Sequence, residues 1–594
     1  MKRYYYCLLT ALFGSTALAN VHASPLEPPN GGTADFDWSS VAPSHQLEYH
    51  ACYEGYQCAR LLLPLDWLDD LNEEIVAIAV IKLPAVVDDE DPSFGGTIVA
   101  QPGGPGQSGT QFCRGRGNML RELIDIPGKK HYEIISFDPR GIGQSTPRIG
   151  CFSGISGSMR ALEFMVNGAI ELSPAALAFR LAAAKVDALQ CETAHGNFLS
   201  YVGTPNVARD MLALVDKTEE LRKQNAMRLK QVDDQEAQAR FELRSTTQPG
   251  KEDEELPRLQ YLGISYGTLL GNYFASMFPG RVGRMVLDGV CDADDYANEQ
   301  ASLTDGADAD EIVSMFFQGC FIAGPSGCAL HHPGDLSGAD ISRRFWIWAD
   351  SLDMKPLVMP TDDGARVYMR AGEIRAVFYM ALYDATYQSK ALAVIFSNAM
   401  QGQTASLSQI YASLSGIKPP LDICSNSSTD PLVLLDSESA VTCLDGDDVT
   451  DRDESYWCDY LERQLSTSSL AGGFITTVRL PCSGWRWRPN WEFKGPFKTP
   501  DPSKSSQFPK SSRPAAPLLF MSNRYDPITP LRNARTMARS HPGAGVLVQE
   551  STGHCVIRGP MGPCVKKVVS EYFDTGTVPS EEVACEAMHG PWDV

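Results

Sequence analysis

The chain has 594 residues, 43% hydrophobic and 21% charged, the composition of an ordinary globular protein larger than one small core requires. Its 51 Lys and Arg against 73 Asp and Glu leave a net charge of −22, which repels a phosphate backbone and argues against nucleic acid as a partner. Sixteen cysteines point to a disulfide-forming chain rather than a cytosolic one.

At the N-terminus, Lys2 and Arg3 precede an apolar run from Tyr4 to Leu18, with small residues at Ala17 and Ala19. That is the pattern of a secretory signal over 1–19, with cleavage after Ala23 as the alternative. The run is shorter than the ~20 residues a bilayer span needs, and no later stretch is long and apolar enough. The processed chain is therefore expected to be extracellular and off the membrane. Without Cys7 fifteen cysteines remain, an odd number that leaves at least one thiol free or paired between chains. Asn426, in Asn426-Ser427-Ser428, is the glycosylation sequon.

Strand-like runs then alternate with helical patterns: Ile75 to Leu83, Thr97 to Gln101, Tyr132 to Phe137, Leu259 to Gly263 and Arg284 to Asp288. This alternation predicts an α/β fold with a mostly parallel sheet flanked by helices. Within it, residues 217–257 are highly charged and lack a strong apolar stripe, which predicts a solvated helix with an acidic end. After Asp288 the rhythm stops; it resumes with strands at Pro517 to Ser522 and Gly545 to Gln549, separated by a helical segment, Asn533 to Ser540. Residues 24–292 and 514–594 thus read as one α/β domain, interrupted by a large insertion over 293–513.

Gly263-Ile264-Ser265-Tyr266-Gly267 lies where a strand meets a helical run. A serine on such a turn is pushed out from the sheet, and the flanking glycines let the backbone turn without a clash. A serine hydroxyl needs a base, and the base needs an orienting acid. In this fold they follow in the order Ser, acid, His. Of His541, His554 and His589, only His554 falls in a loop directly after a resumed strand, within Ser551-Thr552-Gly553-His554. Asp526 follows the preceding strand, in Asn523-Arg524-Tyr525-Asp526-Pro527. Ser265, Asp526 and His554 are the candidate triad.

The oxyanion of an acyl-transfer intermediate needs two preorganised N–H donors. Tyr266, after the nucleophile, supplies one. Gly104 is the choice for the other, with Gly103 as its local alternative, because Thr97 to Gln101 runs directly into Pro102-Gly103-Gly104-Pro105-Gly106-Gln107-Ser108-Gly109. This turn also matches G-x-G-x-x-G, with Asp125 near the interval of a ribose-binding acid. A dinucleotide site is disfavoured, because strand-like sequence precedes the fingerprint and the ordered triad would go unexplained.

With these residues in hand, the chain resembles the tripeptidyl aminopeptidase and proline iminopeptidase group of α/β-hydrolases. The matching pieces are QPGGPGQSG, FDPRGIGQSTP (Phe137 to Pro147), GTPNVARDM (Gly203 to Met211), the stretch from Leu262 to Val290, YDPITPLRNARTMA and STGHCV. The resemblance implies a secreted serine hydrolase that cleaves short segments or residues from peptide N-termini through an acyl-enzyme on Ser265. A carboxylic-ester hydrolase with the same triad is the alternative. Neither reading calls for a cofactor, the absence of a C-x-x-C pair or H-E-x-x-H run means that no metal is implied, and a peptide or small ester is the expected partner. Asp138 and Arg140 match a family turn and read as supports of the active-site rim.

The insertion leaves a strand's C-terminal end, which predicts a mainly helical lid over the nucleophile. The 217–257 arm enters a strand at its N-terminal end and is expected on the opposite side. An aminopeptidase must also bind the substrate's ammonium, and Asp305, Asp308, Asp310 and Glu311 are candidates by location. The lid holds Trp346, Trp348, Trp457, Trp485, Trp487 and Trp491, expected mostly to pack it. By the family pattern, Cys52 pairs with Cys58, Cys151 with Cys191, Cys320 with Cys328, Cys443 with Cys482, and Cys564 with Cys585. Cys555, beside His554, reads as structural because Ser265 fills the nucleophile's role.

Overall fold

The structure, a computed structural model, describes residues 36–153, 168–238, 256–298, 302–360, 366–415 and 433–593, with parts of 154–167. The signal over 1–19, the sequon at Asn426 and the acidic end of the charged arm lie outside the described residues.

Among the described residues, ten strands form one sheet. In chain order they are β1 (His50–Ala51), β2 (Gln57–Pro64), β3 (Ile75–Leu83), β4 (Phe94–Gln101), β5 (His131–Phe137), β6 (Leu259–Ile264) and β7 (Val282–Asp288). A small antiparallel hairpin, β8 (Leu357–Pro360) with β9 (Arg366–Met369), belongs to the insertion. The sheet then resumes with β10 (Leu519–Tyr525), β11 (Gly545–Thr552) and β12 (Val583–Glu586), giving the order β1-β2-β3-β5-β4-β6-β7-β10-β11-β12. The pairs from β5 to β12 are parallel, and β1, β2 and β3 add antiparallel at one edge. Both faces of the sheet are covered, so β3 and β5 are buried along almost their whole length rather than alternating.

β4 is the switch point. Its chain successor β5 lies on one side and β6 on the other. A crevice opens beyond the C-terminal ends of two such strands, where connections leave in opposite directions. The glycine turn after β4 and Ser265 after β6 both sit there. The helix Tyr266–Met277 is apolar nearly all round and is buried under its neighbours.

The long segment between β7 and β10 is mainly helical. Its interior divides in two. Residues from 309 to 407, joined by Leu470, Ala471 and Ile475, build a hydrophobic cluster of their own. Ala440, Val441, Leu444, Trp457, Tyr460, Trp485 and Phe497 instead merge with the core that covers one face of the sheet. The end of the segment runs down the flank: Ala515 N donates to Val282 O at 2.9 Å, at the start of β7.

The helix Thr204–Gln238 carries the charged arm away from the crevice. Arg222, on this helix, pairs with Glu133 at 2.6 Å beside the start of β5, and so lies at the N-terminal ends of the strands.

Candidate active site

Ser265 stands between β6 and its helix with φ 56 and ψ −124, a turn that lifts the side chain off the sheet. Its N–H donates to Asp288 O at 2.9 Å, and its carbonyl accepts from Thr268 N at 2.8 Å. Glycines make the turn possible at close quarters: a Cβ at Gly263 would lie 2.3 Å from Gly267 O.

The three candidates meet. His554 Nε2 is 2.9 Å from Ser265 Oγ, and His554 Nδ1 is 2.9 and 3.1 Å from the two Asp526 oxygens. Asp526 accepts three further backbone N–H bonds, from Ile528 and Thr529 at 2.9 Å and from Cys555 at 3.0 Å. Burial pushes its pKa up, but the His554 charge, the His554 hydrogen bond and the N–H donors outweigh burial and hold it below the usual carboxylate value. The acid therefore stays ionised opposite the imidazole. His541 lies elsewhere, buried between Thr499 and Asn272, where burial pushes it down to about 4. His589 is exposed near the C-terminus.

Of the two glycines considered for the oxyanion hole, Gly103 comes close to Ser265. A Cβ on Gly103 would lie 2.7 Å from Ser265 Cβ and 2.9 Å from its Oγ. Gly104 has φ +106, which favours glycine, and a cis bond joins it to Pro105. Asp138 holds the end of this turn, accepting from Ser108 Oγ at 2.7 Å, Thr110 N at 2.8 Å and Gln144 N at 2.7 Å. Arg140 is buried against Asp210, with Nε at 2.7 Å, and donates to Leu65 O at 2.7 Å. Asp125 closes the far end of the 16-residue helix Gly109–Ile124, accepting from Tyr132 N at 3.0 Å. At 1.5 Å per residue it sits roughly 24 Å from the glycine turn, too far to share one nucleotide with it.

Asp305 and Asp308 lie close enough to Asp526 to feel its charge, whereas Asp310 caps a turn, accepting from Ser468 Oγ at 2.6 Å and Leu470 N at 3.0 Å. Glu311 is exposed. Burial, aided most by the Asp295 charge, pushes Asp305 up to about 7, and burial aided by Asp526 pushes Asp308 up to about 6. Of the insertion's tryptophans, Trp457 and Trp485 are fully buried in the main core, and Trp487 packs against it. Trp346 and Trp348 pack on the outer cluster, and Trp491 lies under the Arg209 guanidinium at 4.8 Å.

Sequence reasoning passed over three groups. Asp288, at the end of β7, accepts from Val556 N at 2.8 Å and Ile557 N at 2.9 Å, and so ties the His554 loop to the strand whose carbonyl holds Ser265. Asn523 Nδ2 donates to Gly553 O at 2.8 Å and Cys555 O at 2.9 Å, clamping that loop from the other side. Glu438, on the helix Val433–Asp445, sits against the glycine turn, and burial alone pushes it up to about 7. Asp288 was visible only as the end of a strand and Asn523 as the first residue after one, and Glu438 lay in a stretch without a motif.

The structure joins Cys52 to Cys58, Cys151 to Cys191, Cys320 to Cys328, Cys443 to Cys482 and Cys564 to Cys585. Cys113, Cys291, Cys458 and Cys555 are free thiols among the described residues. Burial pushes Cys555 well up, so it stays a thiol and not a nucleophilic thiolate.

Residues 468–585 match the hydrolase family described as TAP-like protein, a span that includes β10, β11, Asp526 and His554. The chain is an α/β-hydrolase with a TAP-like region at its C-terminal end. Over 551 residues this hydrolase is 26% identical to "Serine protease Hip1" of Mycobacterium tuberculosis, covering 89% of this chain and 87% of that one. It is 25% identical to "Tripeptidyl aminopeptidase" of Streptomyces lividans over 93% of this chain and 87% of that one. It is 26% identical to "Carboxylesterase B" of Mycobacterium tuberculosis over 89% and 86%. The chain is thus similar along most of its length to chains named as peptidases and to one named as an esterase.

Proposed function

We propose that this chain is a serine peptidase that releases short peptides or residues from peptide N-termini, with Ser265, His554 and Asp526 as its catalytic triad. The observation that carries this reading is the unbroken hydrogen-bonded line from Ser265 Oγ through His554 to Asp526, with 2.9 Å at each junction. Ser265 Oγ attacks the scissile carbonyl carbon while His554 Nε2 takes its proton. The electron pair moves onto the carbonyl oxygen, which lies against the N–H groups of Tyr266 and Gly104. Collapse breaks the C–N bond, and His554 returns the proton to the leaving amine. Water, deprotonated by the same imidazole, then releases the acyl group from Ser265. Asp526 keeps the imidazole oriented and remains a carboxylate throughout.

Support for a free amino terminus as the recognised feature comes from the placement of Asp305 and Asp308 near Asp526 and of Glu438 near the glycine turn: burial disfavours their ions, and an incoming ammonium would supply the counter-charge that ionises them. Five disulfides among the described residues and the N-terminal sequence support an oxidising, extracellular setting, with a signal over 1–19 and glycosylation at Asn426. Among the described residues no helix is long and apolar enough to cross a membrane.

Ester hydrolysis is the second reading, supported by the same triad geometry and the likeness to carboxylesterase B. Chromogenic peptides with free and with blocked amino termini, assayed beside short-chain nitrophenyl esters, separate the two. Faster turnover of the free peptides is expected, and Ser265→Ala should lose all activity. Turnover of blocked peptides or esters alone would overturn the aminopeptidase reading. Activity surviving Ser265→Ala would overturn the mechanism.

A further inference from the structure

The stretch Gly203 to Met211 has no part in the chemistry described above, yet its first residues stand against the nucleophile's neighbour. Tyr266 contributes its backbone N–H to the candidate oxyanion hole, and its side chain has a separate attachment. Tyr266 Oη lies 2.5 Å from Thr204 Oγ1, and Thr204 Oγ1 donates to Asp445 Oδ2. Thr204 has a single hydroxyl proton, committed to Asp445, so the Tyr266 hydroxyl is the donor in the first bond. Thr204 N adds a second bond to Asp445 Oδ1 at 2.8 Å, and Tyr296 Oη donates to Oδ2 at 3.2 Å. The chain of donors runs one way, from the tyrosine to a carboxylate. All three members are buried.

Asp445 belongs to the insertion. It ends the helix Val433–Asp445, which Cys443 bonds to Cys482. Lys494 Nζ donates to the Asp445 carbonyl and to Ala297 O, which fixes the helix end. The same helix reaches the other arm of the oxyanion hole: a Cβ on Gly106 would lie 3.2 Å from Glu438 N and 3.3 Å from Leu434 O. One helix of the insertion therefore braces both the glycine turn after β4 and the residue after the nucleophile.

We propose that Asp445 is a positioning residue for hydrolysis: through Thr204 it fixes the Tyr266 ring and so aims the Tyr266 N–H at the developing oxyanion. The inference rests on the acyl-transfer reading above. It assigns the insertion a part in building the catalytic centre, beyond covering it. Donors of this kind act only if they are held in place before charge develops, and a displaced donor loses most of its effect.

The test compares Asp445→Asn, Thr204→Val and Tyr266→Phe with the parent enzyme and with Thr204→Ser, using a short-chain nitrophenyl ester, a free tripeptide anilide and a boronic acid that forms a tetrahedral adduct with the serine. Each of the first three should lower kcat by about ten- to a hundredfold, a fraction of the ~10²–10³ lost when an oxyanion donor is removed outright. KM should stay within about twofold, boronate affinity should fall in step with kcat, and Thr204→Ser should restore both. The double variant Asp445→Asn/Tyr266→Phe should be no worse than the weaker single variant, because both cut one chain. Unchanged kcat in any of the three, or a loss confined to KM, would overturn the proposal. So would losses that multiply in the double variant. Tyr266→Phe removes one oxygen only, and keeps the test decisive if the Asp445 variant fails to fold. Activity persisting in Ser265→Ala would instead sink the acyl-transfer reading itself, and so separates the two failures.

Discussion

The two parts of the insertion between β7 and β10 differ in what they are attached to. The outer part, with Phe316, Phe317, Phe345, Phe378 and Phe396 at its centre, packs mainly on itself and is bridged internally by Cys320–Cys328. It meets the candidate triad chiefly through Tyr383, whose carbonyl accepts the His554 backbone N–H at 2.9 Å and whose ring lies 5.2 Å from the imidazole. The inner part shares a core with the sheet and ends on Thr204 through Asp445. Segments continuous in the chain thus belong to different hydrophobic clusters. An insertion can supply a cover at one place and structural support for the active site at another.

The sharpest break between these parts should come from paired cavities. Trp457→Ala in the inner part and Phe378→Ala in the outer part each remove a fully buried ring, at a cost of about 3–5 kcal/mol. Trp457→Ala should lower the main unfolding transition and abolish labelling by a small fluorophosphonate at the same temperature. Phe378→Ala should create an earlier, separate transition through which Ser265 still reacts. Melts followed by circular dichroism and by probe labelling would show this. A single shared transition in both variants would erase the distinction.

The next effect is on pH dependence. Burial pushes Asp288, Asp305 and Glu438 up to about 7, and Asp308 and Asp445 up to about 6. With folded values above the ordinary values near 4, the unfolded chain binds fewer protons in this window, so stability falls as pH rises from about 4 to about 7. His541, pushed down to about 4 by burial, acts oppositely up to about 6.5, and Asp526 does so only below its ordinary value. The carboxyls outnumber them. Urea denaturation should show higher stability at pH 5 than at pH 7.5, and Asp445→Asn should flatten part of the slope. A rise across the window would contradict this.

The smallest effect concerns the bridges. Cys443 and Cys482 are 39 residues apart, and Cys320 and Cys328 are 8 apart. Loop-closure entropy makes the longer bridge worth about 1 kcal/mol more. Replacing each pair by alanine should therefore lower the main transition further for 443/482 than for 320/328. Equal shifts would show that the inner part is no better anchored than the outer.

Much of the crevice was readable because its parts are local. A serine between glycines after one strand, an acid after another and a histidine after a third each sit at a strand end, and strand ends converge at a switch point. The strands carrying them were visible as apolar runs. β2 was harder, since Arg60 interrupts its run, and β12 is only four residues long. What the sequence could not disclose were partnerships at long range. Asp445 is 241 residues from Thr204, and Asp288 is 268 residues from Val556, and neither carries a local pattern. The division of the insertion was likewise hidden, because both parts are amphipathic helices and only packing decides what their apolar faces meet.

The backbone of Ser265 has a consequence for the history of this chain. At φ 56 and ψ −124 it occupies a region that suits glycine, and a side chain there costs on the order of 1–3 kcal/mol. Folding by itself would favour glycine at position 265. The serine persists against that preference, so this single position records a conflict between what makes the protein durable and what makes it react.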